Sequence, residues 1–368
     1  MHLSFQKLFY IIATLVGLFA ILILAKTVLI PIAFAFLVAC ILLPVARKFE
    51  SWGINEIAAA LLSVFALLIT IAGSIVLFSN QIIRLSKNLS EFKEKILEVF
   101  ASATIYLNAN IGLLPELEQG EILEKLNIWV SESGGLLLTQ TFSGTAGLIV
   151  GLLTAIVFTF LILIYRNGLV RALVSFYPVQ NRVKAFNMFK SIQQVAKQYL
   201  FGMMVIILVL GLVNSIGLWI IGIDSPFLFG FLAGILTLIP YAGTLLGAAI
   251  TILYAFVSYD SIWMPITIAI FFWFVQFIES NFLSPKIVGG NLKLNAITSI
   301  LSIIIGATVW GVAGMILFLP FVAMFKVVCL EYEELKPVAL LIGEHNSEDE
   351  TGDQLYKGWI TKLKSRFV

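Results

Sequence analysis

Glu279 stands inside the stretch FFWFVQFIESNFLSPK, near the end of an apolar run long enough for a membrane helix. A carboxylate at that depth costs about 2.5–3.5 kcal/mol on insertion scales, and such groups usually handle protons or cations. Gln276 lies three residues earlier and Ser280 one later, so a helix sets all three side chains on one face. Asn281 adds a second amide. This set could couple a proton or cation through Glu279 and hydrogen-bond a polar solute or ion through Gln276 and Asn281. The plainer alternative is a snorkelling glutamate that pairs with Lys286 or caps a helix end.

Two apolar runs are interrupted by residues that free backbone groups. Pro226–Ser258 is cut by Pro240-Tyr241-Ala242-Gly243, leaving 14 residues before the cut and 15 after it. Each half is too short for a hydrocarbon core of about 30 Å. Asn295–Phe325 is cut by Trp310-Gly311-Val312-Ala313-Gly314. Lipid cannot satisfy the freed amides and carbonyls, so such backbone must face protein or a wet cavity. Interruptions at corresponding positions in two halves point to a transport site. Pro240, Tyr241 and Gly243 would form one tip, and Gly311 with Gly314 the other. Asp224 and Asn214 are further candidates near the outer mouth.

The whole composition agrees with a membrane setting. Hydrophobic residues make up 60% of the 368 and charged residues 12%, about half the usual share of a soluble chain. The net charge of +2 and the lack of a dense basic block argue against nucleic acid as a partner. Cys40 and Cys329 lie in or beside apolar runs, so no disulfide is expected. His2 and His345 sit in terminal segments, which leaves no imidazole for a triad or an intramembrane metal. No GxxxxGK[ST] phosphate loop is present. The expectation is a chain that is not an enzyme, needs no cofactor and has the lipid bilayer as its first partner.

Runs of about 20 apolar residues define the positioning elements. They are Leu8–Ala25, Val28–Ala46, Glu56–Ser79, Ala146–Tyr165, Tyr199–Gly222 and Ser261–Leu283. The fold class predicted is an all-α polytopic membrane protein with six full spans and two broken or re-entrant elements, about eight membrane elements in all. Tyr199–Gly222 with the first broken element resembles Ser261–Leu283 with the second, which suggests an inverted repeat in the carboxyl-terminal half. Full helical hairpins with tight turns are the rival to re-entrant tips. Basic residues set the orientation: Arg47, Lys48, Arg166, Arg171, Arg182, Lys184, Lys190, Lys197, Lys286 and Lys293 are all cytoplasmic if both termini are inside.

The organisation expected is a three-span region (1–79), an extracytoplasmic helical segment (80–145), a fourth span (146–165), a basic amphipathic region (166–198), a transport core (199–326) and a cytoplasmic tail (327–368). Within the second segment, Ile82, Leu85, Leu89, Phe92, Ile96 and Val99 follow a heptad seam, and Ile122, Leu126 and Trp129 share the face of a shorter helix. Self-association, a lid and simple packing all fit them. After Pro178, Val183, Phe186, Phe189, Ile192 and Val195 recur every three residues among basic neighbours, as in a helix resting on anionic lipid or held against the core. The acidic stretch Glu344–Asp353 carries no assigned role.

Several motifs in fixed order resemble the bacterial autoinducer-2 exporter family of permeases. They are LIPYAG (Leu238–Gly243), QFIESN (Gln276–Asn281), SPKIVG (Ser284–Gly289), GVAG (Gly311–Gly314) and Leu319-Pro320. The likeness is strongest over Ile164–Pro337. It implies a secondary transporter in the bacterial cytoplasmic membrane, assembled as a homo-oligomer, a pentamer, and it brings Pro285 into the pathway. Some members are associated with export of the small furanone-type signal autoinducer-2, others with sodium/proton antiport. Thr244 and Met203 depart from the pattern, where proline and glutamine are common. The function expected is therefore a permease for a small polar solute, with a proton or sodium as coupling ion. The alternatives are a sodium/proton antiporter and, from another class, a membrane scaffold or interaction protein.

Overall fold

The apolar runs fold as helices because a backbone in lipid must satisfy its own amides and carbonyls. The computed structural model describes residues 5–87, 147, 149–240, 242–259, 261–289 and 293–344. Its helices are α1 (Phe5–Leu24), α2 (Lys26–Ser51), α3 (Glu56–Lys87), α4 (Ile149–Ser175), α5 (Arg182–Ile221), α6 (Pro226–Leu236), α7 (Ala242–Ser258), α8 (Trp263–Ile278), α9 (Ala296–Trp310), α10 (Val312–Glu331) and α11 (Lys336–Ile342). Among the described residues the only extended pairing is one isolated bridge, Leu294 with Gly343. The protein is an all-α polytopic membrane protein.

Among the described residues, six helices are long and apolar enough to cross a membrane: Lys26–Ser51, Glu56–Ser79, Ile149–Ser175, Val179–Ile221, Trp263–Ile287 and Val312–Glu331. The sequence expectation differs at one place: Val312–Glu331 reaches crossing length as one arm of the second broken element. The first run folds as the 20-residue α1. Large apolar side chains lie exposed along these helices, among them Leu24, Leu77, Ile220 and Trp273. Water would not tolerate such continuous apolar surface, and lipid does.

The amphipathic stretch after Pro178 and the span after it are one helix, the 40-residue α5. No proline or glycine stands between Arg182 and Phe201 to part them. The extracytoplasmic segment lies outside the described residues from residue 88 onward, and so does the acidic stretch beyond Glu344.

The helices group into two compact units, whose boundaries fall within α3, α4 and α5 and directly after Glu279. One unit comprises Val64–Ile156 and Ile207–Glu279. Its core is Leu218, Ile223, Phe229, Ala233, Ala255, Ile268 and Phe272, contributed by α5 to α8 and the α5–α6 turn. Glycines let α6 lie directly on its neighbours. A β-carbon on Gly234 would stand 2.9 Å from the Gly211 nitrogen and the Ile207 oxygen, and one on Gly230 would strike the Ser215 backbone. A β-carbon on Gly247 would stand 2.7 Å from the Ala233 α-carbon. Small residues four apart give helix backbones this close approach.

The other unit comprises Met1–Ser63, Val157–Ile206 and Ser280–Val368. Ala33, Leu37, Cys40, Ala196, Leu317 and Met324 form its core. Its basic helix ends are gathered at one end. Arg166 donates to Glu50 at 2.6 Å, Lys184 donates to the Glu331 carbonyl at 3.0 Å, and the hydroxyl of Tyr332 donates to that of Tyr177 at 2.9 Å. At the opposite end, the Trp310 indole donates to the Leu22 carbonyl at 2.8 Å, so the α9–α10 tip sits beside the last turn of α1.

The Glu50–Arg166 pair has 22% and 14% side-chain exposure. Breaking a fully buried pair costs about 3–5 kcal/mol, and partial exposure reduces that to about 2 kcal/mol here. Glu50→Gln is therefore expected to lower the unfolding temperature in detergent by several degrees. Adding Arg166→Met should restore part of the loss, because no charge is then left without its partner. Equal stability of Glu50→Gln and the parent would show the pair to be ornamental.

Candidate functional site

The α6–α7 hairpin is a broken element by its lengths. Eleven residues in α6 rise about 16 Å, half of a bilayer core, and the 17 of α7 about 25 Å. Its tip closes through Gly243, where a β-carbon would overlap the Leu236 carbonyl. The Pro240 carbonyl accepts from the Ala242 amide at 2.7 Å, and the Gly243 amide donates to Ile239 at 2.9 Å. Tyr241 lies outside the described residues.

From that tip α7 runs to Ser258, and after a short turn α8 returns beside it, packed through Ala255, Ile268 and Phe272. The two helices have 17 and 16 residues. The start of α7 and the end of α8 therefore lie at the same end of the unit. Chain topology thus brings the Pro240–Gly243 tip and the Gln276–Glu279 pair to one end, although 36 residues separate Gly243 from Glu279.

Gln276 and Glu279 are both half-buried. The Gln276 amide donates to a Glu279 carboxyl oxygen at 2.8 Å, a bond that orients the carboxyl group on its helix face. At this residue the helix widens: π-helical turns run from Glu279 to Leu283 and again from Pro285 to Gly289. Pro285 has no amide to give, which already disturbs the ordinary bonding register. Single π-turns inside α-helices frequently mark functional sites. No reading of residue spacing pointed to this widening.

The remaining expected residues divide by location. Asp224 is exposed at the opposite end of the same unit. Its amide donates to the Tyr259 hydroxyl at 2.7 Å, and that hydroxyl donates to the Gly222 carbonyl at 3.3 Å. Burial pushes the Tyr259 phenol up to about 12, so it keeps the proton it donates. The α5–α6 turn it clips carries left-handed backbone at Gly222 (φ 93°) and Ser225 (φ 72°). Asn214 is not at a mouth: it is 3% exposed, in the interior of α5. Tyr259 and its clip went unnoticed in the sequence, where the tyrosine reads as one more interface aromatic.

Asn281, Pro285, Gly311 and Gly314 belong to the second unit. Asn281 and Pro285 are exposed, and the Asn281 amide donates to the neighbouring Ser280 hydroxyl at 3.4 Å. Gly311 turns the chain between α9 and α10 with φ 62°. Gly314 lies directly on Gly306, each backbone filling the space a side chain would need.

With this geometry in place, comparison with known proteins is decisive on family. The family model described as "AI-2E family transporter" matches residues 11–334, nearly the whole chain. The chain belongs to the AI-2E transporter family. Among its relatives, YrrI of Bacillus subtilis is 32% identical over 138 residues, 38% of each chain. YueF of the same organism is 29% identical over 193 residues, 51% of this chain and 52% of the relative. AI-2 transport protein TqsA of Escherichia coli is 21% identical over 329 residues, 88% of this chain and 92% of that one. The chain thus matches less than two thirds of the length of the two Bacillus relatives, whereas the likeness to TqsA runs almost end to end.

Proposed function

We propose that the chain is a secondary transporter that moves a small polar solute across the bacterial cytoplasmic membrane, with Glu279 as its ion-coupling carboxylate. The observation that carries this reading is the Gln276–Glu279 hydrogen bond at a π-turn, level with a half-length hairpin tip. A carboxylate at membrane depth is costly when charged. Binding a proton or cation offsets that cost, and the two states then differ in what the site holds. Gln276 orients the carboxylate. Pro240, Tyr241 and Gly243 are the proposed pathway residues of the first motif set, and Asn281, Pro285, Gly311 and Gly314 are those of the second.

The orientation proposed has both termini in the cytoplasm. The clustering of Arg166, Lys184 and their partners at one end of their unit supports it, since cytoplasmic ends are enriched in lysine and arginine. The pentameric assembly rests on the family resemblance alone.

The name of the Escherichia coli relative makes AI-2 the first solute to test. The full chain would be reconstituted in liposomes under an imposed proton gradient, with AI-2 flux followed beside sodium-driven proton movement. Gradient-dependent AI-2 flux is the expected result. Sodium-dependent proton movement without AI-2 flux would replace this reading with antiport. Folded protein that moves neither would point to a different solute or to a scaffold.

A further inference from the structure

Asn214 is 3% exposed, and its side-chain oxygen has no hydrogen-bond partner among the described residues. Burying an amide oxygen without a donor is unfavourable by about 1–3 kcal/mol, so its retention needs a reason. The position on α5 supplies one. Leu210, Asn214 and Leu218 repeat every four residues and are all buried, so they form one stripe. Leu218 packs in the same core as Ile268 and Phe272 of α8, and a β-carbon on the adjacent Gly217 would strike the Phe271 ring. That fixes the level at which α5 and α8 meet.

From this contact the two helices run in opposite chain directions toward the Glu279 end. Along α5 the next residue of the stripe is Asn214. Along α8 the stripe Ile268, Phe272 and Val275 continues into Gln276 and then Glu279. At 1.5 Å per residue, Asn214 is about 5 Å beyond the apolar contact and Gln276 about 8 Å beyond it. The polar groups therefore follow one another by depth: Asn214 first, then Gln276, then Glu279, with the Leu218–Ile268–Phe272 cluster sealing the other end.

We propose that Asn214 is the inner binding residue of this site, its carbonyl accepting a hydrogen bond from an uncharged, hydroxyl-bearing solute that also reaches the Gln276–Glu279 pair. The acceptor chemistry selects the class of ligand. A buried amide oxygen attracts a donor, so a solute that offers it a hydroxyl proton is favoured at this depth. The binding role rests on the transport reading above, whereas the polar, reachable character of position 214 does not. The rival is a packing asparagine that faces only protein.

Two measurements on the full chain in liposomes separate these readings. First, Cys40 and Cys329, both buried, are replaced by alanine, and single cysteines are introduced as Asn214→Cys and Leu218→Cys. With aminoethyl methanethiosulfonate as the probe, position 214 should react at least tenfold faster than the sealed position 218. Second, Asn214→Leu should raise the KM for AI-2 at least tenfold with kcat changed far less, and with an unfolding temperature equal to or above the parent's. Equal labelling of 214 and 218 in protein of parental unfolding temperature overturns the proposal. So does an Asn214→Leu protein whose KM stays within twofold of a parent that moves AI-2. If the parent moves no AI-2, the transport reading fails and the labelling ratio alone decides whether a polar site exists at Asn214.

Discussion

Glu279→Gln is expected to reduce gradient-driven solute flux by about a hundredfold while leaving insertion and folding intact. The estimate follows from losing an interaction that acts in the coupled step rather than in the resting structure. Glutamine has nearly the same shape and can still face the Gln276 amide, which donates to Glu279 at 2.8 Å. What it cannot do is change charge. Removing an ionisable group from membrane depth also removes an insertion cost of about 2.5–3.5 kcal/mol, so the unfolding temperature should hold or rise. Stability and flux therefore move apart. Any residual flux should no longer respond to the proton gradient, since the group that senses it is gone. A glutamate that merely snorkels or caps a helix end predicts the opposite pattern, with flux preserved. Flux within twofold of the parent, measured with equal protein per liposome, would dismiss Glu279 from the mechanism.

The sequence was legible wherever one residue type dominates the local physics. Apolar runs announce helices because a backbone in lipid has few other options. Pro240 and Gly311 announce breaks because one lacks an amide and the other adopts φ 62°. The glycine pairs 230/234 and 243/247 are each four residues apart, and all four glycines lie against a neighbouring backbone. Gly147 and Gly151, with the same spacing, face open space, so spacing alone does not tell a helix contact from a lipid-facing surface.

Other features depend on what the rest of the chain does. The Glu50–Arg166 pair joins residues 116 apart, and no local pattern marks it. The π-turns at Glu279–Leu283 and Pro285–Gly289 arise from the register of bonding in a packed helix. Asn214 is expected near a mouth, but it is 3% exposed, and the helix continues from it to Ile221 before the turn that carries Asp224. The continuity of α5 was open to reading, since nothing between Arg182 and Phe201 interrupts a helix.

Gly243→Ala is expected to be among the most damaging single-methyl additions in this protein. Its β-carbon would overlap the Leu236 carbonyl and would also press on the Thr237 nitrogen at 2.8 Å. Both are backbone atoms, so no side chain can rotate away. The α6–α7 tip must open to make room. That movement disturbs the bond from the Gly243 amide to the Ile239 carbonyl, at 2.9 Å in the closed tip. Overpacking of a well-packed interior typically costs about 1–3 kcal/mol, and a freed backbone pair in lipid adds several more. The informative control is Gly151→Ala, where nothing lies within 4 Å and the residue is helical. There the methyl group should stabilise the helix by up to about 1 kcal/mol. The two variants carry the same chemical change in the same unit, yet their unfolding temperatures in detergent should shift in opposite directions. Since the tip also shares its end of the unit with Gln276 and Glu279, Gly243→Ala should lose flux even at temperatures where it remains folded. Equal unfolding temperatures for the two variants would mean that the hairpin closes less tightly than Gly243 and Leu236 indicate, and that the tip is free to move without cost.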